Sequence, residues 1–129
     1  MPTITPILTG VAAHIGHYAD ALTVSGGGTQ IFVSGTPGVR DDGTLPEDFT
    51  EEARQCWANI ESALRKAGAE LTDIVYMRQW ITSRDNASAY LAVSKEIIRH
   101  RPAAMFAIID GLVWPNIRVE VEVTAIVPA

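Results

Sequence analysis

Ile74-Val75-Tyr76-Met77-Arg78-Gln79-Trp80-Ile81-Thr82 is the stretch that decides the architecture. Its alternation predicts a strand with Val75, Met77, Gln79 and Ile81 on one face and Tyr76, Arg78, Trp80 and Thr82 on the other. The first face suits a core. The second sets a tyrosine and a tryptophan beside an arginine, a mixture that fits neither a core nor open water. Helical patterns lie on both sides. Upstream, Thr50 reads as an N-cap, with Glu51 and Glu52 in a first turn where the helix dipole favours acids. Ala53, Trp57, Ile60, Leu64 and Ala67 then recur at three- and four-residue spacing, and Gly68 stands where a left-handed C′ residue is expected. Downstream, a second helix is predicted from about Asn86 to Arg99, with Ala89, Tyr90, Val93 and Ile97 towards the core.

Further out, residues 19–25 and 29–35 are apolar, Thr-containing runs flanking Gly26-Gly27-Gly28, which suits a hairpin turn. Asp41-Asp42-Gly43-Thr44 marks a second turn in a longer loop ending near Pro46. Residues 103–110 and 117–127 are the last predicted strands. In the latter, Ile117, Val119, Val121 and Val123 alternate with Arg118, Glu120, Glu122 and Thr124. This order predicts an α+β fold, two helices lying on one face of a mixed sheet. The other face, with Tyr76, Arg78, Trp80, Glu120 and Glu122, then needs a cover, and self-association supplies one.

At 129 residues the chain is expected to be a single domain spanning 1–129, with 47% hydrophobic residues for its core. A net charge of −5 argues against a nucleic-acid partner. No apolar run is long enough to span a membrane, and the N-terminus lacks the pattern of a signal peptide, so a cytoplasmic location is expected. The single cysteine, Cys56, fits a reducing compartment and reads as a buried thiol rather than a nucleophile. His14 and His17 lack a third ligand nearby, so no metal and no cofactor are expected; His17 is placed near the mouth of a cleft. Gly26-Gly27-Gly28 precedes a strand, not a helix, and so is not a phosphate loop.

Gly16-His17-Tyr18, Phe32-Val33-Ser34-Gly35, His100-Arg101-Pro102-Ala103-Ala104-Met105 and Val119-Glu120-Val121-Glu122 together resemble the RidA/YjgF family of reactive-intermediate (enamine/imine) deaminases. The similarity runs from about Val11 to Val127. It implies a chorismate-mutase-like fold and a homotrimer with a small organic ligand in a cleft at each subunit boundary. The implied reaction is hydrolysis of a short-lived 2-enamine or 2-imine to a 2-keto acid and ammonium. Residue by residue, Tyr18 matches the aromatic that closes over the ligand. Ser34 and Gly35 match a Ser-Gly-Gln motif whose glutamine is here Thr36. Leu91 falls where many deaminating members carry asparagine. Glu120 matches the glutamate that holds the attacking water, with Glu122 in that role if the alignment slips by two.

Ala104 stands where the family's arginine grips the substrate carboxylate. An arginine fork makes two charge-assisted hydrogen bonds, each worth about 1.5–3 kcal/mol, and alanine makes neither. The usual 2-imino acids are therefore not the expected substrates. Ala104, Met105, Phe106, Leu91 and Trp114 predict a less charged, more apolar pocket for a bulkier or less acidic one. Two residues keep alternatives open. Arg78 either supplies the missing charge or pairs with Glu120 or Glu122, and Trp114 is either a ligand platform or a trimer contact. The competing reading is a ligand-sensing or partner-binding homologue without chemistry, and the acidic charge disfavours an endoribonuclease.

Overall fold

Asp48, rather than Thr50, caps the first helix. In the computed structural model, which describes residues 2–128, the Asp48 carboxylate accepts the Glu51 backbone N–H at 3.1 Å. The carboxylate both fills an unpaired donor of the first turn and faces the positive end of the helix dipole, so capping starts two residues early. Helix α1 (Phe49–Lys66) buries Ala53, Cys56, Trp57, Ile60 and Leu64 on one side. It stops as expected, with Gly68 at φ +87°. The second helix, α2 (Ala87–Ile97), is shorter than 86–99. Ile98 turns extended and enters the core.

Both helices pack on a four-stranded mixed sheet in the order β3 (Thr29–Pro37), β6 (Val119–Val127), β4 (Ile74–Ile81), β5 (Ala103–Ile108). The β3–β6 and β6–β4 pairs are antiparallel, and α2 is the crossover that makes β4–β5 parallel. Val119, Val121, Val123 and Ala125 of β6 face the helices with Met77 and Ile81 of β4. This is the expected α+β arrangement.

The hairpin expected about Gly26-Gly27-Gly28 does not form. Strand β2 (Ala21–Ser25) pairs instead with β1 (Thr3–Ile7), a segment that sequence reading left unassigned, in a separate two-stranded sheet. All three glycines do have positive φ, at 93°, 75° and 147°. A two-residue hairpin needs at most two such residues, and the third carries the chain away. A Cβ on Gly28 would lie 2.6 Å from the Val127 carbonyl oxygen, so β3 is already seated against β6 at its first residue.

Glu52 is fully buried. Its carboxylate accepts the Arg118 backbone N–H at 2.8 Å and Nε at 2.7 Å. Arg118 Nη2 donates to the carbonyls of Pro46 and Glu47. One guanidinium thus fastens α1, the loop before it and the residue preceding β6. Gly38 passes so close that a Cβ there would meet the Glu52 carbonyl oxygen at 2.2 Å.

The opposite sheet face is open in the protomer. Phe32 is 73% exposed, and Tyr76 stands on the same side. Arg78 meets Glu122 at 2.7 Å, and its guanidinium lies 5.3 Å from the Trp80 ring centroid.

Breaking the buried pair leaves an uncompensated charge. Glu52→Ala is expected to destabilise the fold by about 3 kcal/mol. Joint replacement, Glu52→Leu with Arg118→Leu, should recover part of that loss. Urea unfolding midpoints measure both, and an unchanged midpoint for Glu52→Ala contradicts the assignment.

Candidate functional site

A cavity of about 450 Å³ opens between the loop of residues 13–18, α2 and β5. The parallel register builds its floor, setting Met77 beside Ala104 and Gln79 beside Phe106 on the helix side of the sheet. From α2 and its end come Leu91, Ser94, Lys95 and Ile98, at the i, i+3, i+4, i+7 spacing of one helical stripe. The loop is tied at its base. Asp20 accepts the backbone N–H groups of Thr9 and Ala12, at 2.8 and 2.9 Å, while Ala19 N–H donates to the Pro102 carbonyl at 3.1 Å. The Ala12 and Thr9 amides hold the Asp20 carboxyl down at about 2. Tyr18 closes one wall, and its ring lies so near Gly16 that a Cβ there would sit 3.0 Å from it.

Gln79 is the polar element of that floor. Its buried amide oxygen accepts the hydroxyls of Tyr90 and Ser94, and its nitrogen donates to the Met105 carbonyl at 3.1 Å. The Tyr90 ring stacks on Phe106 with centroids 5.1 Å apart, and burial pushes its phenol well above the usual range. These bonds lock α2 onto β4 and fix the cavity's shape.

A second group gathers on the open sheet face. The register of β3 against β6 shifts between Val33 and Thr36, so Ser34 and Gly35 together stand opposite the single residue Glu122 in a bulge. The Glu120 carboxylate leans on Gly35, where a Cβ would lie 2.8 Å from its oxygen. Burial, and then the negative charge of Glu122, raise the Glu120 pKa above the ordinary glutamate value. Thr36 is occupied within its own strand, since Oγ1 donates to the Ser34 carbonyl at 2.7 Å and its carbonyl accepts the Cys56 thiol. Burial raises the Cys56 thiol strongly, which leaves no thiolate for nucleophilic attack.

The residues singled out in sequence therefore divide. Tyr18, Leu91 and Ala104 meet in the cavity, while Ser34, Gly35, Arg78 and Glu120 lie across the sheet from it. Arg78 lines a shallow hollow of about 340 Å³ with Phe32, Tyr76 and Glu122; of its two alternatives, the ion pair is the one formed. Trp114 lies in the loop between β5 and β6, 47% exposed, and lines neither hollow. Met105 and Phe106 do make the cavity apolar, but it is not uncharged: Lys95 and Arg101 line it too. The sequence names Arg101 only within the motif of residues 100–105 and gives Lys95 no role. The Leu91–Lys95 spacing was the available signal for Lys95, whereas Arg101 comes in through the bridge between Ala19 and Ala103, which leaves no local pattern. His17 is at the cavity as expected, accepting Arg101 Nε on Nδ1 at 3.3 Å.

The family model described as Endoribonuclease L-PSP matches residues 9–127. The chain is 30% identical over 103 residues to the RutC family protein YjgH of Escherichia coli, covering 78% of each. It is 27% identical over 110 residues to a 2-iminobutanoate/2-iminopropanoate deaminase of Dermatophagoides farinae, covering 84% of each. A solved structure of the Rid family protein YyfB from Yersinia pestis superposes with a TM-score of 0.82 at 23% identity, over 98% of both chains. The chain belongs to this family, RidA/YjgF.

A carboxylate whose pKa is raised on folding binds more protons folded than unfolded. Its ionisation therefore costs stability as pH rises from the ordinary glutamate value through the raised one. Glu122→Gln removes one of the two causes and frees Arg78, so the Glu120 titration midpoint should fall. Carboxyl-carbon NMR of Glu120 reads this directly, and an unmoved midpoint rejects the coupling.

Proposed function

We propose, with membership of the RidA/YjgF family as premise, that this chain forms a homotrimer binding a small organic molecule in clefts between subunits. There it hydrolyses an imine or enamine other than the usual 2-imino acids. One observation carries the reading: the ligand-sized cavity and the Ser34–Gly35–Glu120 group lie on opposite faces of one sheet. A single protomer cannot bring them to one substrate. A neighbouring subunit that lays its open sheet face against the cavity would, and it would also cover Phe32, Tyr76 and Trp80.

In such a cleft Tyr18, Leu91 and Ala104 of one subunit hold the apolar part of the ligand. Glu120 of the next positions a water and accepts its proton as the oxygen attacks the imine carbon. The nitrogen takes up protons, the carbon–nitrogen bond breaks, and a carbonyl compound and ammonia or an amine leave. Desolvation of Glu120 strengthens it as a base. Ser34 and Gly35 fix where that carboxylate rests. Trp114 is a contact at the same boundary. The acidic net charge disfavours the ribonuclease activity in the family model's description.

A second reading, ligand binding without turnover, is favoured by Ala104 and by the engagement of Thr36 with its own backbone. Imines generated in situ from a panel of amines and amino acids separate the two. Hydrolysis above the buffer blank is expected, and Glu120→Gln should reduce it by about a hundredfold or more with the oligomer unchanged. Binding without hydrolysis selects the second reading. Co-expressing Leu91→Trp, which fills the cavity, with Glu120→Gln should restore about a quarter of the sites, as random mixing places intact halves together. No restoration, or a single subunit in sedimentation at micromolar concentration, rejects the shared cleft.

A further inference from the structure

The cavity's charge is one-sided. Lys95 and Arg101 line it, and no aspartate or glutamate does. Among the described residues neither cation forms an ion pair within 4.0 Å, although Arg54, Arg65, Arg78 and Arg118 all do. Arg101 is also oriented. Its Nε donates to His17 Nδ1, which leaves both terminal nitrogens of the guanidinium without a protein partner among the described residues. Two parallel N–H donors on one planar edge are the arrangement that takes a carboxylate in two bonds at once. Below them the walls are Met77, Leu91, Ile98, Met105 and Phe106, sulfur and hydrocarbon with no ionised group.

Resting on the cavity assignment above, we propose that Arg101, steadied by His17 and joined by Lys95, anchors the carboxylate of a ligand whose apolar chain fills the slot beneath. The ligand class is a carboxylate with a hydrocarbon body several carbons long. Arg101 and Lys95 are exposed and sit at the rim, so the negative end faces outward and the chain points towards Ala104 and Gln79. Alanine at position 104 then has a physical use: an arginine there would fill the floor the chain occupies. His17 is a positioning residue, because it holds the guanidinium without reaching the ligand itself.

The probes are hexanoate, hexanol and hexylamine, equal in chain and different in head, titrated into the full chain by calorimetry or NMR. Hexanoate should bind at least about tenfold more tightly than hexanol, and hexylamine most weakly. Arg101→Ala should remove that tenfold preference while leaving hexanol affinity unchanged, Arg101→Lys should restore part of it, and Lys95→Ala should lower it several-fold. Added salt should weaken hexanoate and spare hexanol. His17→Ala should reduce the preference of hexanoate over hexanol without altering hexanol. Equal affinity for hexanoate and hexanol, both blocked by Leu91→Trp, overturns the carboxylate anchor and leaves the cavity assignment standing. Binding untouched by Leu91→Trp, or none by any probe, overturns both.

Discussion

The buried Glu52–Arg118 contact governs the phase of the last strand. A charge taken wholly out of water is tolerable only when its partner and its hydrogen bonds are in place, and this carboxylate is met by both the backbone and the side chain of Arg118. With Arg118 held beside α1, alternation does the rest. Val119, Val121 and Val123 must point to the helices, and Glu120 and Glu122 must point away. A slip of one residue would bury two carboxylates in the apolar layer and expose three valines. The position of Glu120 is thus fixed from two residues upstream, by the contact between Arg118 and Glu52.

Much of the scaffold is legible in the chain because period-based patterning survives translation into coordinates. The α1 face, the left-handed Gly68, the alternation of β4 and β6, and the α+β class all follow from spacing. What sequence reading missed depends on partners distant in the chain. Nothing near residues 19–35 says that β2 will pair with Thr3–Ile7 rather than with its neighbour across three glycines. Thr50 is a good cap by composition, yet Asp48 captures the amide first. Glu52 looks like any acid of a first turn until Arg118, sixty-six residues later, is laid over it.

The candidate site is legible only as a set of motifs. Motif resemblance picked out Tyr18, Ser34, Gly35, Leu91, Ala104 and Glu120, and the fold sorts these into two coherent groups. It could not show that the groups lie on opposite sides of the sheet, since a motif carries no direction. Nor could it show where positive charge had gone. Arg78, the cation that alternation flagged, is spent on Glu122 and the Trp80 ring. The cavity's cations come instead from the exposed edge of a helix stripe and from a residue three places before the altered one. The cavity thus has an alanine on its strand floor and two cations at its entrance.

The β1–β2 ribbon has a further consequence. Its second strand runs on to β3 through three consecutive glycines, and every residue of β1 is exposed. With so little apolar area buried, its opening free energy falls well below that of the sheet sandwiched against α1 and α2. Deuterium would enter its amides long before those of β4 and β6, whose hydrogen bonds open only when the whole fold does. The chain is therefore thermodynamically layered: strands β1 and β2 can loosen and reclose many times while the interior stays shut.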